Sequence, residues 1–314
     1  MIDVFLLGAG GMMPLPDRPL SALVARIEGR SYLFDCGEGT QVNWRVSDVS
    51  FRSLGTILFS HMHADHVAGL PGVLFQIAFS GRTDPVTIYG PRGTVRVIEA
   101  LLTIVGKLPF DLEVIEVSAE ASIELTDDLT LHTMELSHRV PALGFRLDHR
   151  RAPRFHPDRA RALGIPQSLW SELQAGRETG GFNPADVLGP PRPGLSLAFI
   201  TDTRLVDGIV DFVRDSNLLV SECTYVDDED IDRALERGHL TMRQATSIGR
   251  DANVGELWLT HFSPKVERPE DYEEQARRMF ARTRIGYPGL GTTLRFRDDD
   301  SVGSSGDETV DHRT

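Results

Sequence analysis

The sequence predicts an α/β fold. Short apolar runs alternate with segments of helical period, no tandem repeat of fixed period is visible, and nearly every strong strand is followed at once by a His, Asp or Glu. Strands are expected over residues 4–7, 32–34, 56–59, 86–89, 129–136, 195–200, 218–220 and 256–260. Helices are expected over 93–105, 205–214, 242–251 and 270–281. The last of these follows Pro269, a residue favoured in a first helical turn. Thr241 and Gln244 have the spacing of a capping box, so a helix should begin there.

Two stretches break the alternation. Residues 149–194 are rich in Arg, Pro and Gly and read as an arm inserted into the domain, with a short helix over 166–175 carrying Trp170. That stretch holds seven Arg against four acids, a formal charge of +3. Residues 297–314 are acidic, nearly free of apolar side chains and expected to be disordered. One domain over 1–296 with the arm inside it accounts for the rest.

The chain of 314 residues is 40% hydrophobic, enough for a sizeable core. No apolar stretch approaches the roughly 20 residues that a membrane helix needs. The opening MIDVFLLGAGG lacks a basic start and reads as a buried first strand rather than a leader. Two distant cysteines, Cys36 and Cys223, make no disulfide framework and suit a reducing cytoplasm. A net charge of −13 argues by itself against a general nucleic-acid binder. The basic charge is concentrated instead, with five Arg against one Asp between residues 150 and 161.

The chemistry sits just beyond the strands. His61, His63, Asp65 and His66 follow the strand at 56–59. His138, Asp202, Glu222 and His261 each follow a strand of their own, and Asp35 follows the strand at 32–34. Strand C-terminal ends in α/β sheets converge on one crevice, so groups scattered over the chain can meet there. Imidazole and carboxylate without thiolate are the donors of hydrolytic zinc sites, and a zinc pair makes hydroxide available near neutral pH. Alone, His138 or His261 would read as an ordinary surface or hydrogen-bonded histidine. Asp202 alone would as readily cap a helix beginning near Leu205. Asp35 reads as a residue supporting a ligand rather than a ligand itself. The cluster of three His and one Asp within six positions favours metal.

These residues resemble a known family. His61-x-His63-x-Asp65-His66 is the motif of the metallo-β-lactamase fold, and SHMHADHVAGLPGVL resembles ribonuclease Z, the tRNA 3′-processing endonucleases. DCGEGTQ at 35–41, LSHRVPALGFRL at 136–147, Asp202-Thr203-Arg204 and Thr260-His261-Phe262-Ser263 resemble further motifs of that family, in order. The early loop keeps Pro14 and Arg18 of the family's Pro-x-Lys-x-Arg-Asn segment. The resemblance spans residue 1 to about 296. It implies a four-layer αββα sandwich with a flexible arm, and removal of the 3′ trailer from precursor tRNA.

Residue by residue, the resemblance implies two Zn²⁺ per subunit. His61, His63 and His138 would hold one, Asp65, His66 and His261 the other, with Asp202 bridging. The same donors accept Mn²⁺. Ser221-Glu222-Cys223-Thr224 and His239-Leu240-Thr241 resemble segments that protonate the leaving oxygen, so Glu222 would orient His239 as general acid. Asp65 would also position or deprotonate the attacking water. The arm would grip tRNA, commonly from the partner of a homodimer, through Arg150, Arg151, Arg154, Arg159 and Arg161, with Thr241 a further candidate contact. A related hydrolase of small phosphodiesters, sulfate esters or lactones is the competing expectation, and the arm argues against it.

Overall fold

The structure is a computed structural model and describes residues 1–297. The acidic tail expected to be disordered lies, but for Arg297, outside the described residues. Among the described residues, fourteen strands form two seven-stranded sheets. The first contains β1 (Ile2–Gly8), β2 (Ala22–Ile27), β3 (Arg30–Phe34), β4 (Leu54–Leu58), β5 (Val86–Gly90), β6 (Leu112–Glu116) and β14 (Gly291–Leu294), in the order β14-β1-β2-β3-β4-β5-β6. The second contains β7 (Ser122–Thr126), β8 (Leu129–Leu136), β9 (Ala142–Arg151), β10 (Arg192–Ile200), β11 (Leu218–Glu222), β12 (Glu256–Thr260) and β13 (Thr283–Ile285), in the order β13-β12-β11-β10-β9-β8-β7.

Side-chain alternation explains why the sheets stack. Val4 and Leu6 of β1 join Phe34, Phe145 and Phe199 in the core between the sheets. Phe5 and Leu7, pointing the other way, join Val73, Leu74 and Ile77 of the helix Leu70–Phe79 and Ile98 of the helix Thr94–Leu102. Both faces are buried, so the strand reads as an unbroken apolar run rather than an alternating one. On the far side, the helix Met242–Asp251 and the helix Glu273–Met279 cover the second sheet. The result is helix, sheet, sheet, helix: the expected αββα sandwich.

Direction decides where strand ends fall. β3 to β6 run parallel, as do β10 to β13. β8 and β10 are both antiparallel to β9, so they point the same way as each other. The residues after β8, β10, β11 and β12 therefore emerge at one end of the second sheet.

Four expectations change. The helix expected over 205–214 shortens to Ile209–Phe212, entered from Gly208 in left-handed conformation. Asp202 consequently caps no helix. The strands β2, β6, β7, β9, β13 and β14 complete the sheets without having been expected. The helix over 270–281 splits into a 3₁₀ turn, Pro269–Tyr272, and the helix Glu273–Met279. Finally, the arm is narrower than 149–194. Its first three and last three residues belong to β9 and β10, where Arg151 pairs with Arg192.

Between those strands the chain forms a small body with its own core of Ala160, Ile165, Leu173 and Val187. Trp170 packs there against Phe155, ring centroids 5.4 Å apart, and its indole N–H donates to the Ile165 carbonyl at 3.2 Å. It is a packing residue of the arm. Cys36 and Cys223 are buried free thiols. No helix among the described residues is long and apolar enough to cross a membrane.

Candidate metal centre and the family it marks

Seven side chains converge at the ends of four strands. His61 and His63 lie in the loop after β4, Asp65 and His66 in the short helix Ala64–Val67 that follows, and His138, Asp202 and His261 just beyond β8, β10 and β12. His61 Nε2 lies 3.0 Å from His63 Nδ1, which lies 3.2 Å from His138 Nε2. On the other side His66 Nε2 lies 3.1 Å from His261 Nε2, and Asp65 Oδ2 lies 3.4 Å from His261 Nε2. Donors bonded to one tetrahedral zinc at about 2.0–2.1 Å sit about 3.3 Å apart, so these spacings suit the ligands of a single ion.

Asp202 joins the two groups. Its Oδ2 is 3.6 Å from both His61 Nε2 and His138 Nε2, and its Oδ1 is 3.1 Å from His261 Nε2 and 3.4 Å from His66 Nε2. One oxygen faces each group, and Oδ1 is buried without a hydrogen-bond partner. A buried carboxylate oxygen among imidazole lone pairs is a costly arrangement unless a cation satisfies both.

The far side of each ring supports the same reading. His66 Nδ1 meets Asp35 Oδ2 at 2.7 Å, His61 Nδ1 meets Ser60 Oγ at 3.1 Å, His138 Nδ1 meets the Gly238 carbonyl at 2.9 Å, and His261 Nδ1 meets Thr224 Oγ1 at 3.0 Å. Each of these four histidines is thus fixed by a partner at Nδ1 with its Nε2 turned inward, the orientation of a metal-binding imidazole. Asp35, held also by the Ser60 N–H and Oγ–H at 2.8 Å each, supports ligands rather than joining them. His61, His63, His138 and Asp202 can hold one ion, and Asp65, His66 and His261 with Asp202 a second.

Electrostatics follow from burial and charge. Burial lowers the affinity of His61, His63 and His138 for a proton and leaves them neutral at neutral pH, as ligands must be. Burial opposes the Asp202 carboxylate, but His261, His66 and His61 outweigh it and hold its pKa well below the usual carboxylate range. Asp65 is likewise held low, burial being outweighed by its hydrogen bond to His261 and the charges of His66 and His261, while its Oδ2 also accepts the Met12 N–H at 2.7 Å.

A second pair adjoins the cluster. His239 Nδ1 lies 3.3 Å from Glu222 Oε1, and the ring stacks 5.6 Å from that of His261. Burial disfavours its charge, but Glu222 and Asp202 prevail and raise its pKa to about 9. His239 therefore carries a proton at neutral pH.

Backbone placement is demanding here. His261 has φ 58° and Asp35 φ 54°, left-handed conformations that side chains other than glycine rarely adopt. Gly11 explains how His261 is held. A Cβ at position 11 would lie 2.4 Å from the His261 ring, and the Gly11 N–H donates to the Phe262 carbonyl at 3.1 Å. Arg18, buried in the same loop, donates to the carbonyls of Ser263, Val266 and Glu267 and pins that loop to the segment after His261. Two cavities flank the cluster. One of about 920 Å³ includes His138, Arg92 and Arg139, and one of about 350 Å³ includes Thr224, Ser263 and Lys265.

The family model described as "Beta-lactamase superfamily domain" matches residues 30–175. Ribonuclease Z of Lachnoclostridium phytofermentans is 40% identical over 300 residues, covering 94% of this chain and 99% of that protein. Ribonuclease Z of Clostridium beijerinckii is 39% identical over 309 residues, covering 95% of this chain and 100% of that protein.

The chain belongs to the ribonuclease Z family.

Among solved structures, the short form of human tRNase Z superposes with a TM-score of 0.67 at 25% identity, covering 93% of this chain and 99% of that one. YhfI of Bacillus subtilis, a metallo-β-lactamase fold protein, superposes at 0.68 with 20% identity and attests the fold. As a member of the ribonuclease Z family the chain is a metal-dependent endoribonuclease.

The other expected site residues stand apart from the cluster. Arg150 donates to the Asp127 carbonyl, and Arg151 donates to the Arg297 carbonyl while lying over the Phe296 ring, so both brace the root of the arm. Arg154, Arg159 and Arg161 are exposed on the arm, Arg161 pairing with Asp158 at 2.8 Å. Thr241 is buried, and its hydroxyl accepts the Gln244 N–H in the expected capping box, which takes it away from any substrate. Sequence reasoning missed Ser60, Thr224 and the Gly238 carbonyl. The first two sit within motifs already recognised, beside His61 and Glu222. The third is a backbone atom that no residue type announces.

Proposed function

We propose that this chain removes the 3′ trailer from precursor tRNA in the cytoplasm, as a homodimer with two Zn²⁺ per subunit. The product tRNA keeps a 3′-hydroxyl and the trailer a 5′-phosphate. The observation that carries the reading is Asp202, with one carboxylate oxygen toward each histidine group. His61, His63 and His138 would hold one ion and Asp65, His66 and His261 the other, with Asp202 available to both. Bound there, the ions supply positive charge toward a phosphoryl group and a water acidic enough to ionise near neutral pH.

The chain's own groups do the rest. Asp65, fixed by the Met12 N–H, positions the attacking water. Glu222 accepts the Nδ1 proton of His239 and orients the ring, and His239, charged at neutral pH, protonates the departing 3′ oxygen of the tRNA. The cavities lined by His138 and by Thr224 leave room for RNA beside the cluster.

A purified protein supplied with zinc or manganese should cut a precursor tRNA just after the discriminator base. End-labelling should find a 3′-hydroxyl on the tRNA and a 5′-phosphate on the trailer. Hydrolysis of a small diester with the RNA left intact would refute the tRNA reading.

The dimer has support of its own. Phe75 and Phe79 lie four residues apart on one helix and are 41% and 83% exposed. Val42 and Val46, 63% and 38% exposed, belong to the segment packed beside that helix, where Gln41 abuts Gly72. Exposed apolar side chains grouped in this way mark association surfaces. The arm also leaves the second sheet at the Arg151–Arg192 pair, nine residues along β9 from Ala142 beside the centre. At about 3.3 Å per residue its root is roughly 30 Å away, which suits service to a partner's active site. Phe79→Glu should convert a dimer to a monomer by light scattering, lowering tRNA cleavage at least tenfold while sparing a small diester. A Phe79→Glu protein that stays dimeric would place the interface elsewhere.

A further inference from the structure

The hydroxyl of Thr224 touches more of the site than any one role requires. It lies 2.6 Å from Glu222 Oε2, 3.0 Å from His261 Nδ1, 3.1 Å from His239 Nδ1 and 3.2 Å from the His261 carbonyl, and the residue is fully buried. A hydroxyl has one proton to give and two lone pairs. Glu222 accepts only, and its contact is the shortest, so the proton goes there. The two imidazoles must then donate to Thr224, His261 from Nδ1 and His239 from an Nδ1 it shares with Glu222 Oε1. For His261 this leaves the Nε2 lone pair facing Asp65, His66 and Asp202.

The other half of the centre repeats the device. Ser60 Oγ–H donates to Asp35 Oδ2 at 2.8 Å and accepts from His61 Nδ1 at 3.1 Å. Carboxylate, hydroxyl and ligand histidine therefore occur in the same sequence twice, as Asp35–Ser60–His61 and as Glu222–Thr224–His261. The second histidine on each carboxylate differs. On Asp35 it is the ligand His66, and on Glu222 it is His239, which lies outside both ligand groups.

We propose that Thr224 is a positioning residue that sets the tautomer of His261 and the orientation of Glu222 together, so that one hydroxyl couples metal affinity to proton delivery by His239. This rests on the metal and general-acid reading given above. Thr224→Val keeps the shape and removes the hydroxyl. His261 Nδ1 then loses its side-chain acceptor, and the tautomer with a proton on Nε2, useless as a ligand, becomes competitive. Loss of such an outer partner typically weakens metal affinity or activity about 10–100-fold.

The test titrates the metal-free wild type, Thr224→Val and Thr224→Ser with Zn²⁺ against a chromophoric chelator, with no RNA present. Turnover of precursor tRNA and of a small diester is then measured at saturating zinc. Thr224→Val should bind one of its two ions at least tenfold more weakly. At saturating zinc its kcat should fall tenfold or more on precursor tRNA, with KM within about twofold. Thr224→Ser should restore both properties. Wild-type affinity and kcat in Thr224→Val would overturn the proposal, as would a Thr224→Ser protein as impaired as Thr224→Val, which would make the methyl group the important part. Because affinity is read without RNA, a wild type that binds two ions yet spares precursor tRNA refutes the substrate reading alone.

Discussion

Asp202→Ala should abolish turnover of precursor tRNA while leaving RNA binding within a few-fold of wild type. The side chain is 4% exposed and lies between His61 and His138 on one side and His66 and His261 on the other. Removing it takes the shared anion from four buried imidazoles. Each group still keeps three donors of its own, enough in number for a catalytic zinc. Zinc content should therefore fall only in part, and activity should fall far more than metal does. We expect a loss of at least 1,000-fold in kcat, about 4 kcal/mol of transition-state stabilisation. Asp202 lies outside the arm, so filter binding of precursor tRNA should be nearly unchanged. Single-turnover cleavage, zinc analysis and filter binding on one preparation make the comparison. Activity within a few-fold of wild type would remove Asp202 from the centre. A parallel collapse of binding and turnover would instead indicate a misfolded protein, which Asp202→Asn, of the same shape, would separate from loss of the charge.

The residues of the candidate metal centre were legible in the sequence because each stands immediately after an apolar run, and because His61, His63, Asp65 and His66 crowd into six positions. The strands whose periodicity is plain, such as Leu129–Leu136 and Glu256–Thr260, have the expected bounds. Parallel pairing causes only part of the convergence. His138 reaches the centre because two antiparallel steps, β8 to β9 and β9 to β10, restore the direction of the strand. A single sequence does not display that pairing. The strand β9 was hidden because its apolar residues run on from a motif loop into charged Arg146, Asp148, Arg150 and Arg151. The helix expected after Asp202 failed for a local reason. Thr203 gives its N–H to Glu222 and its hydroxyl to the Arg204 carbonyl, so this backbone serves the site instead of starting a helix. Thr224 shows the remaining limit. Its residue type suggests a cap or a turn, and only the fold brings Glu222, His239 and His261 around it.

The structure also changes what the arm should be expected to do. Removing residues 152–191 and joining Arg151 to Arg192 by a short Gly-Ser turn should raise KM for precursor tRNA about 10–100-fold, leave kcat within about threefold and spare a small diester. The join is suitable because those two residues already face each other across β9 and β10. The arm's excess positive charge, however, lies at its root. The excess of +3 over 149–194 comes from Arg150, Arg151 and Arg192, all of which give N–H groups to backbone carbonyls at the root. Beyond the root, residues 152–191 hold four Arg and four acids, for no net charge. Arg161 pairs with Asp158 and Arg177 with Glu172, leaving Arg154 and Arg159 as the cations best placed to meet phosphate. Each phosphate neutralised contributes about 0.9 to the slope of log affinity against log salt. Deletion should therefore lessen that slope by only about 2, so most of what the arm contributes must be shape and hydrogen bonding presented by its Trp170 core. Binding titrations across a salt series read this directly. Equal losses on tRNA and small diester would make the arm a structural brace, and a slope change near 4, about the most that its four Arg could give, would restore a mainly electrostatic grip.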